Sequence, residues 1–300
     1  MRRSMLVAVA VLAAGGAAHG SDHPANVHWE RFLPALPSPT EIQPRSVPNC
    51  RKARIRCIDV EIRRLRRLQR QWGCDHRAVF ATTYLELTKT LRQVLREQPN
   101  LLRYPKYLYV EDALFANVYF EAIRDAGRGG QVPEAWRIAF EAAESADLNA
   151  TQDMLLGINA HVQNDMPFVL AALGLRTRSG ESRKYDHDAV NEVLDRSYPD
   201  VVRAVRERFD PQVDLTNSPL TPADDVLGLE LVKGWRELVW RNAERLVNAE
   251  DEAERRQVAE QIQANAANWA RGIAAVEQNG YRATRDAYCA ERLGDGRASG

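Results

Sequence analysis

Apolar residues recur at helical spacing along most of the chain. Ile55, Ile58, Ile62, Leu65, Leu68 and Trp72 form one stripe, with Arg63, Arg64, Arg66, Arg67 and Arg70 on the other faces. This predicts an amphipathic helix that ends at Gly73. Asp75 is placed to cap a second helix running to about Glu97, with Val79, Phe80, Thr83, Tyr84, Leu87 and Leu91 inward. A third helix is expected from Val110 to Ala126, stopped by Gly127, Gly129 and Gly130. Pro133 then opens a fourth, which carries Trp136, Ile138, Phe140 and Ala143.

The helix bearing His161 follows Asn149 and is expected to bend at Pro167. Residues 174–188 read as a polar loop, His187 or Asp188 begins the next helix, and Pro199 starts a further segment. Thr221-Pro222-Ala223-Asp224 is a helix start, with Val232, Trp235, Leu238, Val239 and Leu246 as its buried stripe. The last long helix uses Val258, Ile262, Ala266, Trp269, Ile273 and Val276. Neither an alternating run long enough for a strand nor an internal repeat is present. The expected fold is all-α: a single multi-helix bundle over residues 50–293 and a flexible tail over 294–300.

Two basic residues (Arg2, Arg3), an apolar run from Met5 to Ala18, and Ala18-His19-Gly20 before Ser21 fit a signal peptide over residues 1–20. The run is short for a membrane span, so an exported, periplasmic or secreted product without a transmembrane segment is expected. Residues 21–49 hold Pro24, Pro34, Pro37, Pro39, Pro44 and Pro48 and read as an extended arm over the surface. In an oxidising compartment, Cys50, Cys57, Cys74 and Cys289 are expected to form two disulfides. A continuous helix from Cys57 to Trp72 would hold Cys57 and Cys74 roughly 25 Å apart, which excludes that pair. Cys50–Cys57 as a local clasp and Cys74–Cys289 as a long staple is the favoured pairing, and without a C-x-x-C pair zinc ligation by these thiols is the lesser reading.

Lys and Arg together number 41 and so do Asp and Glu, and losing Arg2 and Arg3 with the signal leaves 39 against 41. Nucleic-acid binding is therefore not implied. Candidate chemistry lies in three histidines, His76, His161 and His187, each with a carboxylate beside it or one turn away. His161 and Asp165, with Asn164, fall on the face of their helix shared with Met154, Gly157 and Ile158, while Gln152, Asn159 and Gln163 fall on the opposite, water-facing side. His76, His161, Asp165 and His187 could converge as ligands of a divalent metal such as zinc, as facing helices of bundles do. His161 and Asp165 as a buried structural pair is the equally open alternative, and Asp75 reads as a cap before it reads as a ligand. Tyr84, Tyr119 and Asn164 are candidate pocket residues, with the core as the alternative for the two tyrosines.

Cys50…Cys57, Cys74-Asp75-His76, the tyrosine-containing helix after it, and Gly157-Ile158-Asn159-Ala160-His161…Asp165-Met166-Pro167 resemble a helical family of exported and actinobacterial proteins of unknown function. That resemblance runs from about Cys50 to the C-terminus and implies no reaction. His161, Asp165 and Pro167 are also similar to part of the His-x-x-x-Asp helix of the zinc-dependent phospholipase C and single-strand nuclease superfamily. The histidine that family carries downstream is absent between Phe168 and Leu175, and the family's N-terminal metal-binding tryptophan is absent too. These departures count against a trinuclear zinc centre and leave a one- or two-metal site open. Two functions are expected from different classes: a metal-dependent hydrolase of phosphoester-type substrates, or a non-catalytic exported protein that binds an amphipathic, small-molecule or lipid-like ligand or a protein partner.

Overall fold

Helix α1 (Arg56–Trp72) turns its apolar stripe onto α2 (Arg77–Glu97) and α3 (Pro105–Ala126), burying Ile58, Ile62 and Leu65. Each such side chain removed from water contributes about 2 kcal/mol, so the stripe fixes α1 against the bundle and leaves its arginine faces outward. The computed structural model describes residues 47–214, 223–275 and 281–298. The signal segment, the arm up to residue 46, Thr221, Pro222 and Val276 lie outside the described residues. At the end of the arm, Pro48–Cys50 form a short 3-10 turn, with Val47 and Cys50 packed on α3.

The architecture is all-α. Among the described residues there is no strand, only one isolated antiparallel bridge between Arg176 and Ser182. Helix α7 (Lys184–Arg208) runs along α2, α4 (Glu134–Ser145) packs on α9 (Glu252–Ala274), and α6 (Met166–Leu173) packs on α8 (Ala223–Asn248). Between them pass α5 (Ala150–Ile158) and a π-helical segment (Asn159–Asp165), in contact with α2, α4, α8 and α9. A capping box starts α5, in which Asn149 accepts from the Gln152 N–H and the Gln152 side chain accepts from the Asn149 N–H.

Several expectations are corrected. The face of Gln152, Asn159 and Gln163 is not water-facing: all three are buried against α9. Asn159 donates to the Ala266 carbonyl and Gln152 to that of Ile273, while Gln163 joins Asn159 to Asn265. The segment is polar on both sides because it is central, and each polar side chain finds its partner across a helix interface. In place of a simple bend at Pro167, the chain widens into the π segment just before it, and Met166 N–H bonds the His161 carbonyl five residues back.

Helix α3 begins at Pro105 and not Val110, because Asp186 of α7 accepts from the N–H groups of Arg103 and Tyr104 and supplies the N-terminal cap from another helix. Helix α7 starts at Lys184, inside the expected loop, and continues through Pro199 without a break. Its packing along α2 outweighs the one backbone bond that Pro199 cannot make. Trp269 is 40% exposed and sits edge-on to Trp235 at the surface instead of in the core. A further helix, α10 (Tyr281–Ala298), occupies the C-terminal region.

Candidate functional site

Both disulfides join the expected partners, Cys50 with Cys57 and Cys74 with Cys289. The second positions chemistry, since it ties α10 to the turn just ahead of His76. Arg285 is fully buried there, donating to the Cys74 carbonyl at 2.6 Å and lying over the Phe209 ring. Tyr281 donates to Asp210, whose other oxygen accepts from the Ala150 N–H at the start of α5. These contacts hold α10 beside the first turns of α2 and α5.

His76 stands at the N-cap of α2 and is buried. Its Nδ1 lies 2.6 Å from Oδ2 of Asp153, a buried residue in the first turn of α5. Its Nε2 has no hydrogen-bond partner among the described residues, and the nearest carboxylate oxygen, on Asp286 of α10, is 3.6 Å away. Burial pushes the Asp153 carboxyl above its ordinary range, and the His76 hydrogen bond opposes that shift. Asp75 is a cap in practice, since it accepts from the Arg77 N–H at 2.8 Å and pairs with the Arg77 guanidinium. Partial burial opposes the shift, but the bonds from the Arg77 guanidinium and N–H hold the Asp75 carboxyl below its usual range.

His76 faces a cleft of about 540 Å³ between α2, the ends of α3 and α4, and the start of α10. Ile123, Ala126, Phe140 and Ala143 give it an apolar side; Asp75, Arg77, Glu144, Arg282 and Asp286 give it a charged one. Inward of His76 the cleft narrows to about 20 Å³, a space lined by Phe80, Tyr119, Trp136 and Gly157 together with His76 and Asp153.

Beyond that constriction is the second histidine. His161 is buried in a cage of Phe80, Tyr84, Phe115, Tyr119 and Trp136, and stacks on Phe115 with ring centres 3.5 Å apart. Asp165 Oδ2 is 3.1 Å from His161 Nδ1 and also accepts from the Trp136 indole N–H at 2.9 Å, while Oδ1 accepts from Asn164. The carboxylate is thus fully engaged. With Nδ1–H assigned to Asp165, Nε2 is the bare acceptor, and neither it nor the Tyr84 hydroxyl has a partner among the described residues. Burial lowers the His161 pKa below its ordinary 6.5, against the pull of Asp165, and favours the neutral ring.

His187 does not join the other two. It is buried on α7, with its Nε2 2.9 Å from the Arg236 carbonyl of α8, and the Arg236 guanidinium returns a bond to the His187 carbonyl. Burial and the positive charges of Arg236 and Lys184 keep it well below the usual imidazole range. This reciprocal link fastens α7 to α8. Among the described residues no three His, Cys, Asp or Glu side chains are arranged to hold one metal ion. Tyr84 and Tyr119 belong to the cage around His161, and Asn164 supports Asp165.

Two partners escaped the sequence reading. Asp153 reads as an ordinary first-turn acid, favourable at any helix N-terminus, and nothing local ties it to a histidine 77 residues earlier. Asp286 lies in a region expected to contain no further long helix. Its signal is Cys289 one turn onward, because Cys74 lies two residues before His76.

No curated protein and no solved structure matches this chain. The model of a family of unknown function, DUF5995, matches residues 58–276, which include both His–Asp pairs and stop short of α10. The chain therefore belongs to the family of unknown function DUF5995.

Proposed function

We propose that this is an exported enzyme that hydrolyses its substrate by acid–base chemistry at His76, with Asp153 orienting the imidazole. One observation carries the reading: a buried histidine that lines a cleft of small-molecule size has Nδ1 bound to a buried carboxylate, while its Nε2 has no hydrogen-bond partner among the described residues. With Nδ1–H donated to Asp153, Nε2 carries the lone pair. It takes a proton from water as the water oxygen attacks the electrophilic atom of the substrate. The imidazolium, held by Asp153, then returns that proton to the departing oxygen or nitrogen. The two disulfides, and the lack of a helix long and apolar enough to cross a membrane among the described residues, are consistent with export.

A phosphoester would meet Arg77 and Arg282 in this cleft, but Arg77 is paired with Asp75 and Arg282 is engaged by Asp286 and the Ser145 carbonyl. A carboxylic ester or amide suits the charge balance better. A zinc-dependent version needs a third ligand beside His76 and Asp286, and no such trio converges among the described residues.

The test is a panel of p-nitrophenyl esters, anilides and phosphates, assayed with and without added zinc. His76→Ala is expected to lower kcat by about 100-fold or more, the range of general acid–base catalysis, with the helical spectrum intact. Asp153→Asn should lower kcat by a smaller factor. Activity unchanged in His76→Ala would overturn the proposal, and stoichiometric zinc required for turnover would return the metal-dependent reading.

A second reading, non-catalytic binding of an amphipathic ligand, is favoured by a different cavity. About 360 Å³ lies between α2, α5, α7 and α8, walled by residues that include Leu87, Met154, Ile158, Val201 and Val232. Thr83 and Ser197 also line it, but their hydroxyls are spent on their own helices, on the Val79 and Leu194 carbonyls. A fluorescent fatty acid displaced by Met154→Trp, with no effect of His76→Ala, would support this reading.

A further inference from the structure

We propose that the arginine-rich face of α1, together with the turn closed by Cys50–Cys57, docks the protein on an anionic lipid surface. The inference stands apart from the His76 reading and shares no residue with it.

At about 100° per residue, Arg56, Arg63, Arg66, Arg67 and Arg70 fall within one arc of about 100°, turned away from the stripe of Ile58, Ile62 and Leu65. From first to last they span about 21 Å of helix. Just ahead of them the turn adds Arg51, Lys52 and Arg54. All of these side chains are exposed, and none forms an ion pair among the described residues.

The acids around this face are already engaged. Asp59 falls on the same arc but is paired with Arg92 of α2, and the buried Glu61 is paired with Arg64. On α2, Glu86 pairs with Lys89 and Glu97 with Arg196. On α3, Glu111 and Asp112 are buried and Asp125 pairs with Arg124, which leaves Glu121 as the exposed acid of that helix without an ion pair. The helix ends do not reverse the balance. The N-terminus of α1 adds positive charge beside the turn, with no side chain capping it, and its negative C-terminal end meets Arg70. Cations crowded at a helix N-terminus repel the dipole and one another, so Arg51, Lys52, Arg54 and Arg56 weaken the start of α1. A partner that supplies negative charge removes that cost.

Two observations favour a lipid surface over a small anion or a hydrophilic polyanion. None of the arginines of this face lines the clefts described above, so a helix side and a turn are offered to something extended. At Ala53 the turn also borders a further cleft of about 530 Å³, where Pro105, Tyr107 and Val110 give an apolar wall beside Arg103 and Lys106. Tyr185, 46% exposed, lies under the Arg103 guanidinium at 4.0 Å. The acids there are engaged too, Asp186 by the N–H groups of Arg103 and Tyr104, and Glu181 by the Tyr104 hydroxyl. Cations beside an apolar cleft and an exposed tyrosine match the headgroups and upper acyl region of an anionic bilayer, whereas a hydrophilic polyanion has nothing to place in the apolar part.

Co-sedimentation of the full chain with vesicles of phosphatidylcholine, or of phosphatidylcholine mixed with phosphatidylglycerol, tests the inference. Binding to the mixed vesicles is expected to be at least about tenfold tighter and to be lost at high salt. Arg63→Gln/Arg67→Gln/Arg70→Gln should weaken it by at least about tenfold, given roughly fivefold per cation near an anionic surface. Each substituted side chain is exposed, so the helical spectrum should be unchanged. Lysine at the same positions should keep the binding. Arg128→Gln/Arg255→Gln/Arg256→Gln, which removes as many exposed cations outside this face, should leave it within about twofold of the parent.

Equal binding to both kinds of vesicle, or a face variant that binds as the parent does, would overturn the inference. So would a control variant that loses as much as the face variant, since net charge and not this face would then be responsible. Binding of a short duplex DNA that the face variant loses, with no binding to either vesicle, would assign the face to an anionic polymer and equally overturn the lipid reading.

Discussion

Gly157 of α5 lies so close to Phe80 of α2 that a β-carbon on the glycine would sit 2.2 Å from the ring's Cγ. The two helices reach this separation only because position 157 has no side chain. The contact holds Phe80 at the constriction beside His76 and, 5.9 Å away ring to ring, against His161. One glycine thus sets the wall between the two His–Asp pairs.

Gly157→Ala is expected to destabilise the protein by about 1–3 kcal/mol, the usual cost of overpacking a tight core, because the new methyl would meet the Phe80 ring and its β-carbon, which cannot swing aside freely. Urea unfolding of the two proteins measures it. A midpoint equal to or above that of the parent would show that α2 and α5 can separate without loss.

Removing Cys74–Cys289 should cost about 3–5 kcal/mol, more than the roughly 2 kcal/mol for Cys50–Cys57, because the closed loop spans 215 residues against 7. The Cys74→Ser/Cys289→Ser pair should also weaken any activity at His76 through the loosened Asp286 wall. Denaturant midpoints of the two double variants, with hydrolysis assayed under native conditions, test both halves of this expectation.

Asp112 on α3 is buried beside Glu61 and Glu111, and burial followed by those like charges raises its pKa from 3.8 to about 8. The folded state therefore holds a proton that the unfolded chain releases above about pH 4. This contribution favours folding fully below that point, falls by up to about 1.4 kcal/mol per pH unit as pH rises, and levels off above 8. Asp112→Asn should flatten the fall in stability between pH 5 and 8 and raise stability at pH 8. Parallel pH dependences for the two proteins would contradict the assignment.

His161 titrates in the other direction. Its folded pKa lies below 6.5, so the stability it contributes is present above 6.5 and is lost as pH falls from there toward the lower folded value. His161→Ala should remove this loss, and should destabilise the protein by about 3–5 kcal/mol at pH 7.5 by opening a hole among five aromatic side chains. Trp136, deprived of the imidazole it packs against, reports the change through its fluorescence.

The helices were largely legible because each buried stripe is a local code: Ile58, Ile62 and Leu65 recur at the period of one helix face and are buried together. The His161–Asp165 pair was legible for the same reason, since four residues in a helix are neighbours wherever that helix lies. The side facing water was misread, because a central helix is polar on two faces when neighbours such as α9 present carbonyls and amides to it. The extents of α3 and α7 were also beyond reach, because a cap from Asp186 and packing along α2 override the local signals of Tyr104-Pro105 and Pro199.

By itself, then, the sequence determined the all-α class, the exclusion of a Cys57–Cys74 pair, and two polar residues one turn apart on an inward face. Those follow from periodicity and from the length of a helix between two thiols, which are properties of neighbouring residues. Only the tertiary structure decided that His76 meets Asp153, that His187 turns away to Arg236, and that Asp286 closes the cleft. Each of those pairings joins different helices, and which faces of α2, α5, α7, α8 and α10 meet is set by how their apolar surfaces pack together, a global condition that no single segment records.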